Sequence, residues 1–263
     1  MTRAVMTIHG FLTDTTDFGR LYDYLGFYDK VFPCEIPGHN GNVDFSLFTV
    51  DSTIETVNAC FDSLAEKYDE VDVIGFSMGG ALASYIAATK KPHKCVLMAP
   101  ANKYLNPRFM FDALKYYVGL QHKTYKSAQG KMREKVSAVR ETMQPYQRNI
   151  SACLKLEFDK ILPNLNRHTY TVFSKLIKLI NKTLDESPAV AAPTLILRGD
   201  LDELVPRGSV EYLKGHFTDY KEEQFEDVGH GMLYTNRDNV IIPKVVQFLS
   251  DGEIVPEVPV REV

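Results

Sequence analysis

The sequence predicts an α/β protein, a mostly parallel central sheet flanked by helices and interrupted by one long helical insertion. Three observations carry this. Through the first hundred residues, short runs rich in β-branched and apolar side chains alternate with segments of helical periodicity. That rhythm stops for about 90 residues, from Asn102 to Ala191, where the pattern is mainly helical. After Pro193 it resumes with a further strand and runs to a closing helix, as expected when helices cover both faces of one sheet.

Taken in order, "AVMTIH" (4–9) reads as the first strand and "KVFPCEI" (30–36) as a second, with Pro33 directing it towards a sheet edge. Over 52–68, apolar residues at 54, 57, 61 and 64 share one helix face. "EVDVIGF" (70–76) is a strand, "GALASYIAATKK" (80–91) a helix closed by Pro92, and "KCVLMAP" (94–100) the next strand. Within the insertion the clearest helices are 107–120 and 171–184. In the second, Phe173, Leu176, Ile177, Ile180 and Leu184 form an apolar stripe, with Lys175, Lys178 and Lys182 on other faces. "TLILRG" (194–199) is a strand, 207–216 a helix, "KEEQFEDV" (221–228) the last strand and "NVIIPKVVQFL" (239–249) the last helix. The expected organisation is a core of 1–101 and 192–250, a helical insertion over 102–191, and an acidic, proline-bearing and poorly ordered tail over 251–263.

Composition narrows the function classes. No apolar run approaches the ~18 residues of a membrane-spanning helix, and the N-terminus shows no signal-peptide h-region. Cys34, Cys60, Cys95 and Cys153 are scattered without a CxxC pair, which argues against a disulfide framework or a zinc site and suits a reducing cytoplasm. The net charge of −4 hides an asymmetry: residues 103–182 carry sixteen Lys and Arg against five acids, and the remainder is correspondingly acidic. The basic segment is either a solvated face or a surface that attracts anionic substrates or lipid headgroups at a membrane periphery. No nucleic-acid partner is expected.

Ser77 stands out in "GFSMG", directly after an apolar strand and directly before a helix. A strand that turns at once into a helix crowds the serine's backbone, and the small residues Gly75 and Gly79 relieve the crowding. The turn lifts the hydroxyl to the carboxyl end of the sheet, where open α/β sheets bind ligands, and sets it at a helix N-terminus. A serine hydroxyl needs a base oriented by a third group. His230, in "EDVGHGML" after the last strand, is the expected base, with His39 in "IPGHNG" as the other candidate. "LRGDLDELVP" offers Asp200, Asp202 and Glu203 as the acid; Asp202 is expected to reach the histidine and Asp200 to shape the turn. The backbone N–H groups of Met78 and of Phe11, in "IHGF", are the expected oxyanion donors, and His9 braces the loop between strand and donor.

These residues together resemble the α/β-hydrolase superfamily. The chain order Ser77, Asp202, His230 matches its nucleophile–acid–base order, and "IHGF", "IPGHNG", "GFSMGG", "LRGDLDELVP" and "VGHGM" fall at corresponding places. The closest likeness is to the bacterial carboxylesterase and monoacylglycerol-lipase-like group. That resemblance implies a helical cap over 102–191 walling an acyl pocket, in which Phe109, Met110, Phe111, Leu114, Tyr116, Tyr117 and Val118 supply apolar surface. It also implies no cofactor and no metal. Two departures are visible: "GHN" replaces the usual "GHG" at 38–40, and Trp is absent, which speaks against a tryptophan-lined halide site.

The sequence therefore predicts a serine hydrolase of short- to medium-chain carboxylic esters, with monoacylglycerols as candidate substrates. The same residues are compatible with a thioester, an amide or a C–C bond as the scissile group, and a non-catalytic ligand cup is the reading from a different class. A homodimer through the apolar cap helices is an open alternative to a purely substrate-facing role.

Overall fold

The structure is a computed structural model that describes residues 1–39, 44–103, 105, 167–185, 189–202, 204–234 and 237–260. Six parallel strands form one sheet: β1 (Arg3–Ile8), β2 (Lys30–Cys34), β3 (Glu70–Phe76), β4 (Cys95–Met98), β5 (Thr194–Gly199) and β6 (Tyr220–Phe225), in the spatial order β2-β1-β3-β4-β5-β6. β2 is an edge strand, which is how Pro33 can pair with Thr7 without a second ladder needing its missing N–H.

Among the described residues five α-helices flank the sheet: α1 (Val50–Ala65), α2 (Met78–Thr89), α3 (Arg167–Asp185), α4 (Arg207–Lys214) and α5 (Asp238–Leu249). The pleat sorts the side chains. Ala4, Met6 and Ile8 of β1 join α1, α2 and α3 in one core, whereas Val5 joins Phe18, Leu21 and the α5 residues Ile242 and Val246 in the other. α2 is buried from Met78 through Ala87, so its sequence is apolar all round rather than amphipathic. α1 begins with a capping box, Thr49 accepting from the Ser52 N–H while Ser52 accepts from that of Thr49.

Four expectations are revised. Sequence periodicity missed the segment Thr15–Tyr24, two short 3-10 turns joined across Gly19 at φ +44°. β6 ends at Phe225 rather than at 228, because Asp227 takes φ +58° and turns the chain out of the strand. On α3 the buried stripe is Val172, Leu176, Leu179 and Ile180, and Ile177 is 46% exposed, because α1 and α2 cover a face rotated by most of one residue step from the one that spacing suggested. Lys175 reaches back to donate to the Phe45 carbonyl. The tail is anchored: Val258 packs into the second core and the Pro259 carbonyl accepts from Arg20.

The insertion predicted over 102–191 leaves the core between β4 and β5. Of its residues, α3 is described, while Phe109, Met110, Phe111, Leu114, Tyr116, Tyr117 and Val118 lie outside the described residues, as does the helix expected over 107–120. Among the described residues, no helix is long and apolar enough to cross a membrane.

Candidate active site

The strand β3 ends at Phe76 and α2 starts at Met78, so Ser77 alone makes the corner. Its backbone has φ +54° and ψ −115°, a conformation that costs a non-glycine residue about 1–3 kcal/mol. The corner is held from several sides. Ser77 N–H donates to the Met98 carbonyl, and the Ser77 carbonyl accepts from Gly80, Ala81 and Ala101. Gly79 packs so closely on β1 that a Cβ there would overlap the Ile8 carbonyl, and a Cβ at Gly75 would overlap the Gly79 carbonyl. The two glycines of "GFSMG" are therefore demanded by close approach of backbone to backbone.

A second close approach brings Asp202 and His230 together. A Cβ at Gly199, the last residue of β5, would overlap the Val228 carbonyl, and Leu201 N–H donates to that same carbonyl. The loops after β5 and β6 are thereby clamped side by side. Asp202 and His230 project from them, and His230 Nδ1 lies 2.9 Å from Asp202 Oδ2. Asp202 Oδ1 accepts from the N–H groups of Leu204 and Val205 at 3.0 and 2.9 Å, which fixes the carboxylate's rotation. His230 Nε2 lies 2.8 Å from Ser77 Oγ. A carboxylate can only accept, so His230 carries its proton on Nδ1 and its bare Nε2 accepts the serine hydroxyl. The three side chains form one hydrogen-bonded chain, with Ser77 7% and His230 4% exposed.

Asp200 and His39, two of the competing residues, make other contacts. Asp200 Oδ1 accepts from Val228 N–H at 3.3 Å and shapes the turn, and Glu203 lies outside the described residues. His39 is buried among Phe11, Phe45 and Phe48, its Nδ1 against the Pro37 carbonyl, while Ser77 Oγ is paired with His230. Burial pushes its pKa down to about 3, so it is neutral. His9 accepts from Ile36 N–H through Nε2 and donates from Nδ1 to the Gly10 carbonyl. It pins the loop after β1 to the end of β2, and burial holds its pKa down at about 4.

A cavity of about 40 Å³ opens on Ser77. Phe11, Met78 and His230 line it with the serine, and Leu105, Phe173, Leu176 and Leu204 give it an apolar wall. Met78 N–H sits in the first turn of α2, where helix donors have no intrahelical partner. Phe11 and Met78 thus line the same cavity as the serine. Among the described residues no cluster of His, Cys, Asp and Glu has the grouping of a metal site.

A family profile described as alpha/beta hydrolase fold matches residues 37–237. The chain belongs to this family. A protein of Mycoplasma pneumoniae (strain ATCC 29342 / M129 / Subtype 1), provisionally named esterase/lipase 3, is 28% identical over 213 residues, covering 78% of this chain and 70% of that one. Among solved structures, one from work on the metagenome-derived lipolytic enzymes LipS and LipT superimposes with a TM-score of 0.64 at 16% identity, over 95% of this chain and 94% of that chain. The enol-lactonase from Burkholderia xenovorans LB400 also gives 0.64, at 17% identity, over 95% and 92%. At such identities these two likenesses speak to the fold alone.

One residue of this α/β hydrolase site was not legible in the sequence. Asp17, 3% exposed, accepts hydrogen bonds from Gly10 and Thr13 on either side of Phe11. It sits in "TDTTDF", a run without periodicity, and nothing in the spacing distinguishes it from Asp14.

Proposed function

We propose that this α/β hydrolase is a serine esterase of short- to medium-chain carboxylic esters, monoacylglycerols among them, acting through an acyl-enzyme. The observation that carries the reading is the unbroken hydrogen-bonded chain from Ser77 Oγ through His230 to Asp202, opening on an apolar cavity. The esterase and lipase names of its relatives agree with it.

In this reading Ser77 attacks the ester carbonyl as His230 Nε2 takes its proton. Asp202 holds the ring and stabilises the imidazolium. The oxyanion is received by Phe11 and Met78 N–H, with α2's N-terminus behind them. His230 returns the proton to the departing alcohol. Water, deprotonated by the same nitrogen, then releases the acid. Leu105, Phe173, Leu176 and Leu204 would face the acyl chain, and the rest of 102–191 would form the cap above it. A cytoplasmic site of action goes with the unpaired thiols of Cys34, Cys60 and Cys95.

The test is hydrolysis of p-nitrophenyl esters from acetate to palmitate, alongside Ser77→Ala and fluorophosphonate labelling. Expected are a rate maximum at one acyl length, labelling at Ser77, and loss of both in the variant. Folded wild-type protein that neither labels nor hydrolyses any ester overturns the reading.

A further inference from the structure

We propose that Asp17 is a positioning residue for this reaction: its buried carboxylate ties the loop bearing Phe11 to the loop that follows His230. The proposal rests on the esterase reading above for its kinetic consequence, but the tie itself is a matter of geometry. Asp17 Oδ2 accepts from Gly10 N–H at 2.7 Å and from Thr13 Oγ1 at 2.5 Å. These two contacts bracket Phe11 and Leu12, and Leu12 holds φ +63°, a backbone conformation that an unsupported leucine does not keep. The other oxygen, Oδ1, accepts from Tyr234 Oη at 3.2 Å. Tyr234 closes the 3-10 turn Met232–Tyr234, whose Met232 N–H donates to the His230 carbonyl.

One carboxylate thus joins the loop of an oxyanion donor to the loop of the base, from below and without touching the cavity. Oxyanion stabilisation depends on donors fixed before the charge develops. A loop of four residues with a strained leucine needs an anchor to supply that fixity. Burial works against the anchor's charge, pushing the Asp17 pKa up to about 6, although Thr13, Gly10 and Tyr234 all favour the ionised form. A group that the fold accommodates against its own solvation, at the junction of two site loops, is better explained by geometry at the site than by stability.

The experiment compares Asp17→Ala and Asp17→Asn in ester hydrolysis, with thermal unfolding to confirm folding. Asp17→Ala is expected to lower kcat and kcat/KM together by about 10–100-fold, a loss up to that of a misplaced group and short of that of a deleted oxyanion donor. Asp17→Asn is expected to recover to within about threefold, because its carbonyl can serve Gly10 and Thr13 and its amide can serve Tyr234. A folded Ala variant with kcat within about twofold of wild type, or an Asn variant as damaged as Ala, overturns the proposal. Should Asp17→Ala not fold, Thr13→Val and Tyr234→Phe replace it. Acting through one carboxylate, their losses in kcat should be less than multiplicative when combined, and independent losses overturn the proposal.

Amide hydrogen exchange separates this proposal from the esterase reading. In Asp17→Ala, or in Thr13→Val with Tyr234→Phe, Gly10–Thr13 and Met232–Tyr234 should both exchange faster. Unchanged exchange in either loop overturns the tie, whatever the activity. A wild type inert to every ester and to fluorophosphonate, with exchange behaving as expected, overturns the esterase reading and leaves the tie standing.

Discussion

Changing Asp202 to asparagine isolates the protonic role of one oxygen. Asp202 Oδ1 is held by two backbone N–H groups, from Leu204 and Val205, while Oδ2 faces His230 Nδ1. An asparagine can keep its carbonyl on the two backbone donors only by turning its NH2 towards the histidine. His230 Nδ1 must then become the acceptor, and the ring's proton moves to Nε2, where it blocks removal of the Ser77 proton. The flipped alternative keeps the correct tautomer but leaves two backbone donors facing an NH2. At about 1–3 kcal/mol for each unsatisfied donor, the flip costs about 2–6 kcal/mol. The wrong tautomer is therefore the favoured ground state. Together with the lost stabilisation of the imidazolium, kcat should fall by about 10⁴, equivalent to about 5.5 kcal/mol of barrier. The thermal midpoint should barely move. The assay is steady-state hydrolysis of the best p-nitrophenyl ester, with Asp200→Asn as the comparison. The Asp200 carboxylate makes one long hydrogen bond, from Val228 N–H, so its variant should stay within about tenfold of wild type. An Asp202→Asn enzyme that keeps a tenth or more of its kcat would refute this reasoning.

Other perturbations follow from the same geometry. Gly79→Ala drives a Cβ into the Ile8 carbonyl, so its urea midpoint should drop by an amount worth about 1–3 kcal/mol or more; an unchanged midpoint would show that α2 does not lie so close to β1. Asp17 has a folded pKa raised from 3.8 to about 6, so the protonated form favours folding, a contribution complete below about pH 4 and lost as pH rises through about 6. Asp17→Asn should therefore gain stability on wild type between pH 4 and 7, by up to ~3 kcal/mol; a difference flat with pH counts against the buried carboxylate. On α3, Leu179→Ala should cost about 2–5 kcal/mol, because Leu179 is fully buried. Ile177→Ala, at a 46% exposed position, should cost less than ~0.5 kcal/mol; equal effects in chemical denaturation would show that the helix docks on another face.

Ser77, Asp202 and His230 were legible because each sits at a strand end with a local signature: a glycine-flanked serine, an acid after "LRG", a histidine in "VGHGM". Strand existence was legible too, since a buried parallel strand announces itself as an apolar run bounded by turn residues. The rotation of α3 was less legible, because apolar residues lie on both flanks of its stripe, Val172 and Leu179 on one side and Ile177 on the other, and periodicity alone cannot choose which flank is covered. The tail was misread because its composition suggests disorder, while Val258 finds a place in the core only once α5 and the Thr15–Tyr24 segment are assembled.

By itself the sequence determined the alternation of strands and helices, the corner at Ser77 and the chain order of the three site residues, all of which depend on neighbours within a few positions. The tertiary structure alone decided which distant backbones touch. Gly79 against Ile8, and Gly199 against Val228, are contacts between segments 71 and 29 residues apart, and no local pattern encodes the partner. The same holds for Asp17, an unremarkable acid in a polar run until folding buries it between Gly10, Thr13 and Tyr234. A carboxylate's chemistry is set by what surrounds it, and for Asp17 the burial and the Tyr234 contact come only with the folded sheet, although Gly10 and Thr13 are near it in sequence.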